Sequence, residues 1–230
     1  MVLAVAVLLA VVLKTFLVEA FFIPSPSMQP LLVKDDKILV QKVSYWGSGT
    51  PQRGDVVVFE DPGDWLLPSE KAGPTGPLQS ALGRIGLLPS GGHLVKRVIG
   101  VAGDTITCCD DRGRIEVNGK PLDEDGFIAP QQDCDGPEPQ TCHWSAGPVP
   151  PHHLFVLGDN RGDSADSAWH LCVNARIACR PGDEYVDTSL VVGKVFARVW
   201  PADRFELLHR PAAFDGIPAA TRAAAAPGSG

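Results

Sequence analysis

The chain has 230 residues and a formal net charge of −7, from 27 acidic and 20 basic side chains. An acidic chain without a basic stripe lacks the electrostatic footprint of nucleic-acid-binding proteins, so we expect no nucleic-acid partner. The 24 glycines and 21 prolines favour turns and short strands over long helices. The predicted fold is mainly β.

The first element in chain order is an apolar segment, residues 1–23, in which Lys14, Thr15 and Glu19 are the polar side chains. A helix rising about 1.5 Å per residue would reach roughly 35 Å over this length, enough to cross a bilayer core about 30 Å thick. We therefore predict a retained, single-pass transmembrane anchor at residues 1–23. A cleavable secretory peptide is the alternative, because Val18-Glu19-Ala20 resembles a small-x-small cleavage site.

Beyond the anchor, residues 24–210 are predicted to form one β domain. Pro24 and Pro26 end any helix there. Asn118-Gly119, between two short β runs, predicts a hairpin with a primed turn. Runs rich in β-branched side chains predict strands at residues 37–43 and 55–59, and further apolar runs predict strands at 94–99, 154–157 and 190–200.

Three parts of the chain are expected to stand apart from the main sheet. Residues 61–92, rich in Pro, Gly and Ser, are predicted to be a mobile insertion with a short helix near 77–88. Trp65 in this insertion is expected either at the membrane interface or in the core. Residues 105–152 are predicted to be a smaller inserted β region, and the Ala- and Pro-rich residues 211–230 a disordered tail.

The cysteines bear on the cellular compartment. None of the six forms a CxxC motif, and no His pair has zinc-finger spacing, so we expect no metal site. An even number beyond the anchor favours disulfides formed in an oxidising compartment, with buried free thiols in a cytoplasmic protein as the alternative. The preferred pairs are Cys172–Cys179 and Cys134–Cys142, and the remaining Cys108 and Cys109 are not expected to pair easily with each other.

Three segments carry the candidate chemistry. Ser27 follows two prolines in residues 23–30, on a turn that presents it just after the anchor. Lys96 interrupts a hydrophobic strand in residues 93–104, and a polar loop occupies residues 158–167. Each segment alone has an ordinary explanation, respectively a linker, a solvent-facing strand lysine and an Asx-rich turn.

Together, the motifs SM-x-P, KRVIG-x-x-GD and GDNR-x-x-S-x-DS resemble those of the type I signal peptidases, over roughly residues 10–200. The resemblance implies a mostly β catalytic domain after a transmembrane helix, with Ser27 as nucleophile and Lys96 as general base. It implies that Ser25 and the Ser27 backbone N–H form the oxyanion hole, and that Ser164 orients the lysine. It further assigns a supporting polar network to Asp159, Arg161 and Asp166.

The implied chemistry agrees with the residues around Lys96. A lysine near its reference pKa of about 10.4 is protonated at neutral pH and cannot accept the serine proton. Burial disfavours the ammonium and lowers that pKa, and the nearby residues Leu94, Val95, Val98 and Ile99 supply apolar surroundings. Ser27 then attacks the scissile carbonyl and forms an acyl-enzyme that water resolves, without metal or cofactor.

The chain departs from the family pattern at two positions. Pro26 stands where the family commonly has Gly, and Ala168 stands where it often has Arg. Proline fixes φ and lacks an N–H, which is compatible with an oxyanion donor at Ser27. The second departure removes one partner of Asp166.

The resemblance also implies the partners and the location. Substrates are expected to be exported preproteins with small residues before the cleavage site, and the enzyme is expected in the plasma membrane with its catalytic domain on the extracytoplasmic side. Two enzymes remain as alternatives, a self-cleaving repressor-type Ser/Lys protease and a histidine-using signal peptidase based on His93. The non-enzymatic alternative is a membrane-anchored, disulfide-bonded β binding module without catalysis.

Overall fold

The computed structural model of the chain describes residues 17–47, 49–63, 65–67, 71, 76, 91–130, 143–172 and 180–220. Within these residues the chain forms two antiparallel sheets, which confirms the mainly β prediction. The strands are β1 Val18–Phe22, β2 Lys37–Gln41, β3 Val56–Glu60, β4 His93–Val101, β5 Ile106–Cys108, β6 Glu116–Val117, β7 Lys120–Pro121, β8 Trp144–Ala146, β9 His153–Leu157, β10 Val186–Asp187, β11 Val191–Trp200 and β12 Glu206–Leu207. Short 3-10 helices cover Val43–Tyr45, Arg161–Asp163, Thr188–Leu190, Ala202–Arg204 and Ala212–Phe214.

The main sheet has the order β1-β2-β11-β3-β4-β9-β10, with β12 paired to β11. Its central strands follow the predicted β-branched runs, whose side chains pack well against their neighbours on a pleated surface. In β3, Val56 through Phe59 are buried on both faces of the sheet. Strand β4 pairs with β3 on one side and β9 on the other, and Arg97 lies opposite Leu157 at the end of β9. This register brings the loop after β9 level with Lys96.

The second sheet has the order β7-β6-β5-β8, and its strands fall within residues 105–152. The predicted hairpin connects β6 and β7. Asn118 and Gly119 have φ of 53° and 75°. Positive φ at both central residues is the requirement of the primed turn predicted for this dipeptide.

The predicted anchor boundary at residue 23 is wrong, because Val18–Phe22 form the edge strand β1, paired with β2. An apolar run does not by itself distinguish a helix from a strand. Here Phe21 and Ile23 are buried in the core, and Glu19 forms an ion pair with Lys42. Residues 1–16 lie outside the described residues, and none of the helices described is long and apolar enough to span a membrane.

The prediction of a disordered tail is wrong for residues 211–220. Phe214 and Ile217 are buried in the same apolar cluster as the second sheet. The Pro218 carbonyl accepts a hydrogen bond from the Asn118 side-chain amide, at 2.9 Å. The prediction followed the Ala- and Pro-rich composition and gave no weight to Phe214 and Ile217, whose buried apolar surface is enough to order the segment. Residues 221–230 lie outside the described residues.

The expectation that Cys108 and Cys109 do not pair is also wrong, because they form a disulfide. Strand β5 ends at Cys108, so strand alternation no longer sends the two side chains to opposite faces, and both pack against one core cluster. Cys172 is disulfide-bonded as well. The preferred partner Cys179 and the predicted pair Cys134–Cys142 lie outside the described residues, as does most of the insertion at 61–92 with its predicted helix.

Candidate active site

Ser27 lies on the turn that follows β1. The turn is anchored by Ile23, whose N–H donates to the Asp36 carbonyl and whose carbonyl accepts from the Asp35 N–H, both at 2.9 Å. Met28, the next residue after the serine, is buried in the apolar cluster under β1 and β2. Ser27 itself is only 7% exposed. The turn therefore holds the serine hydroxyl inside the protein, whereas the sequence suggested an exposed position.

Lys96 approaches this hydroxyl from the middle of β4. Its side chain is 4% exposed, and Nζ donates a hydrogen bond to Ser27 Oγ at 2.7 Å. The hydroxyl oxygen of Ser25 lies 3.3 Å from Ser27 Oγ. The structure thus brings together three residues that the sequence placed up to 71 positions apart.

The loop after β9 secures the serine turn from the other side. The Asn160 N–H donates to the Ser27 carbonyl at 3.0 Å, and its side-chain amide donates to the Pro26 carbonyl at 3.2 Å. Gly158 permits this approach, since a Cβ there would lie 2.4 Å from the Ser27 carbonyl oxygen. Asn160 and Gly158 both lie in the GDNR motif, but the family resemblance assigns no role to either of them.

Ser164, the residue expected to orient the lysine, is buried in the same loop. Within the part of the chain that the structure describes, its hydroxyl oxygen has no hydrogen-bond partner. The expected hydrogen bond from Ser164 to Lys96 is therefore not formed here, and the orienting role stays a prediction.

Two buried bidentate ion pairs support the loop. The Arg97 guanidinium donates to both Asp159 carboxylate oxygens, at 2.7 and 2.6 Å. The Arg161 guanidinium donates to both oxygens of Glu124, at 3.0 and 2.5 Å. Asp166 instead accepts from backbone N–H groups, at 2.9 Å from Gly158 and 3.1 Å from Ala168.

Sequence reasoning missed the two ion-pair partners. Arg97 carried a detectable signal, since it follows Lys96 in the KRVIG motif and an arginine within an apolar strand needs a buried acidic partner. Glu124 carried none, because its partner lies 37 residues further along the chain.

Trp65 connects the insertion to the far end of the loop. Its ring stacks on His170 at a centroid distance of 4.4 Å, and its indole N–H donates to the Asp183 carbonyl at 3.1 Å. His170 Nδ1 lies 2.8 Å from the Asp166 carbonyl oxygen, and burial lowers the pKa of its imidazole. Of the two expectations for Trp65, core packing is the observed one.

Within the described part of the chain, no group of three or more His, Cys, Asp and Glu side chains is arranged to hold a metal ion. The chemistry available at the site is that of a hydroxyl nucleophile hydrogen-bonded to a buried amine, with a second hydroxyl beside it. Such a pair performs acyl transfer in serine proteases that use lysine instead of histidine.

Comparison with known proteins gives the family. The family model for signal peptidases, peptidase S26, matches residues 1–200. The chain belongs to this signal peptidase family. The signal peptidase I of Mycobacterium tuberculosis strain H37Rv is 40% identical over 221 residues, which cover 89% of this chain and 72% of that protein.

Further relatives of this signal peptidase come from other organisms. The probable signal peptidase I of Mycobacterium leprae is 36% identical over 219 residues, covering 87% of this chain and 75% of that protein. The signal peptidase I of Leptolyngbya laminosa is 32% identical over 210 residues, covering 91% and 82%. The predicted family is confirmed, and so is the enzyme class, a serine endopeptidase of the signal peptidase I type that removes signal peptides.

Proposed function

We propose that this signal peptidase cleaves preproteins with a Ser27/Lys96 dyad, at the extracytoplasmic face of the plasma membrane. The observation that carries the proposal is the 2.7 Å hydrogen bond from Lys96 Nζ to Ser27 Oγ. Both side chains are buried and held by separate elements, the serine by the turn after β1 and the lysine by β4. A nucleophile within hydrogen-bond reach of its base is the geometry that acyl transfer requires.

The first chemical step is the activation of Ser27. Burial of Lys96 between β3 and β9 disfavours a charged ammonium, so the amine is suited to accept the hydroxyl proton. The alkoxide oxygen attacks the carbonyl carbon of the scissile peptide bond, and the resulting ammonium returns the proton to the leaving amine. Water, deprotonated by the same amine, then hydrolyses the acyl-enzyme.

The oxyanion that develops on the scissile carbonyl oxygen needs hydrogen-bond donors close to Ser27 Oγ. The Ser25 hydroxyl is close enough to turn toward it, at 3.3 Å from the nucleophilic oxygen. The Ser27 backbone N–H has no acceptor among the described residues and is available as the second donor. One such donor contributes about 3 kcal/mol to transition-state stabilisation.

Ser164 is proposed to orient Lys96 during turnover. Its buried hydroxyl has no hydrogen-bond partner among the described residues, which leaves it available to the ammonium formed after proton transfer. Asp159, Arg161 and Asp166 are proposed as structural supports of the loop, because their charged groups bond to protein partners.

Membrane attachment is proposed for the apolar residues ahead of β1. Residues 1–16, as a helix of about 1.5 Å per residue, would reach roughly 24 Å, near the lower limit for a spanning segment. The disulfides at Cys108–Cys109 and Cys172 support an oxidising, extracytoplasmic location. An enzyme tethered in the bilayer meets preproteins inserted in the same plane, which raises their effective concentration. The proposed substrates carry small residues before the cleavage site.

The proposal is tested with Ser27→Ala and Lys96→Ala, assayed on a fluorogenic peptide containing Ala-x-Ala. Each variant should lower kcat/KM by roughly 10⁴-fold or more while retaining the wild-type circular dichroism spectrum. Ser189→Ala and Lys34→Ala, at exposed positions, serve as matched controls and should keep wild-type activity. Substantial cleavage by Lys96→Ala would reject the dyad, and inhibition by a chelator would reject a metal-free mechanism.

The anchor has its own test. The intact mass of protein recovered from membranes should include the apolar residues ahead of β1. Recovery only of a form that lacks residues 1–16 would contradict a retained anchor.

A further inference from the structure

Residues 124–129, here called the Glu124 turn, lie between β7 and β8 in the region of the second sheet. The turn is closed by the N–H groups of Phe127 and Ile128, which donate to the Glu124 carbonyl at 3.0 and 3.2 Å. Just before it, Leu122 donates to the Ile115 carbonyl at 2.8 Å, which ties the turn to the second sheet. The turn is remote from the dyad in sequence and belongs to a different sheet.

This turn contacts the active-site loop at two points. The buried Glu124 carboxylate receives both hydrogen bonds from the Arg161 guanidinium. At the other end of the turn, the Ala129 N–H donates to the Asp159 carbonyl at 2.9 Å. Arg161 in turn donates through Nε to the Gly158 carbonyl at 2.9 Å. The backbone from Gly158 to Arg161 is therefore fixed from the second sheet.

A third contact reaches the strand that carries the base. The centroid of the Phe127 ring lies 4.7 Å from the Arg97 guanidinium carbon, which is within the range of a cation–π interaction. Arg97 is the immediate neighbour of Lys96 on β4, and its guanidinium also donates to Asp159. The ring thus covers the ion pair that joins β4 to the loop, and excludes water from it.

We propose that the Glu124 turn positions the dyad, with Glu124 and Phe127 as positioning residues that do not touch the substrate. Its contacts fix the distance between β4 and the loop after β9. That distance sets the positions of the Lys96, Ser27 and Ser164 side chains relative to one another. The inference rests on the proposed dyad, and it assigns to the second sheet a role in catalysis rather than in binding. A misplacement of about 1 Å at reacting groups can lower a rate by roughly a hundredfold.

The test compares two isosteric changes in the full-length enzyme with the Ala-x-Ala peptide. Glu124→Gln removes the buried carboxylate charge opposite Arg161. Asp110→Asn, the control, makes the same acid-to-amide change in the partly exposed ion pair with Arg114, whose Nε and Nη2 both donate to one Asp110 oxygen, just after β5 in the second sheet. We expect Glu124→Gln to lower kcat by roughly ten- to a hundredfold with KM within twofold of wild type, and Asp110→Asn to change neither. A wild-type kcat in folded Glu124→Gln, or a loss confined to KM, would overturn the inference.

Phe127→Leu provides a second, uncharged perturbation. It removes the ring from Arg97 while leaving no buried charge unpaired, and it should lower kcat by about threefold or more without raising KM. Should Glu124→Gln fail to fold, this variant decides alone, and a wild-type kcat would overturn the inference. Lys96→Ala in the same assay separates the two proposals. Activity in Lys96→Ala rejects the dyad, whereas an inactive Lys96→Ala beside a fully active Glu124→Gln rejects only the positioning role.

Discussion

Replacing Gly158 by alanine tests whether the tight contact between the loop and the serine turn is needed for catalysis. An added Cβ would lie 2.3 Å from Ser164 Oγ and 2.4 Å from the Ser27 carbonyl oxygen. Ordinary contacts between such atoms are about 3.5 Å, so the groups must separate by about 1 Å. The Ser164 side chain can rotate away, but the carbonyl belongs to the backbone of Ser27 and moves only with it.

The expected result is a loss of activity larger than the smaller amount of folded protein can explain. Overpacking of this kind costs about 1–3 kcal/mol of folding free energy, which leaves a folded majority in a protein of ordinary stability. A shift of about 1 Å at Ser27 should lower kcat/KM by roughly a hundredfold. Single-turnover cleavage of a preprotein measures the chemical step, and urea unfolding measures the stability.

Gly162→Ala is the matched control, because Gly162 lies in the same loop and a Cβ there would meet nothing within 4 Å. It should retain wild-type cleavage and stability within about 0.5 kcal/mol. The reasoning would be refuted by wild-type cleavage in Gly158→Ala, or by an equal loss of cleavage in Gly158→Ala and Gly162→Ala.

Three further predictions concern stability. Asp159→Asn leaves its buried guanidinium partner uncompensated and should cost about 3–5 kcal/mol in urea unfolding, whereas Asp215→Asn breaks an exposed pair and should cost less than about 1 kcal/mol. Phe214→Ala should cost about 3–5 kcal/mol in the same measurement, and a value near zero would show that the tail does not pack as described. Burial raises the pKa values of both tyrosines, Tyr45 and Tyr185, in the folded protein. Above about pH 10 the unfolded chain therefore loses these protons while the folded protein keeps them, so stability should fall as pH rises. Phenolate absorbance appearing at about pH 10 in the folded protein would contradict this.

The sequence predicts the central strands and points to the proposed Ser27/Lys96 dyad, because both depend on local signals. β-Branched runs specify β3, β4 and β11 wherever they lie in the fold. Ser27 and Lys96 stand within motifs whose combination points to one family, and family membership is confirmed. The hairpin turn at Asn118-Gly119 is likewise determined by two adjacent residues.

The features that sequence reasoning missed depend on distant partners. Whether an apolar run such as Val18–Phe22 becomes a helix or a strand depends on β2, which supplies the neighbouring backbone hydrogen bonds. In the sequence, Glu124 cannot be told from an exposed surface glutamate, because only the fold brings Arg161 beside it. The tail at 211–220 appears disordered by composition, and only the cluster around the second sheet accounts for the burial of Phe214.

The edge position of β1 has a practical consequence for making a soluble form of the enzyme. A truncation at residue 23, the boundary that the sequence suggests, would delete the strand that covers β2. The uncovered N–H and C=O groups would form a new sheet edge that invites other chains to pair, and aggregation would follow. A truncation that begins at Leu17 keeps this cover, together with the bond from the Lys42 N–H to the Leu17 carbonyl.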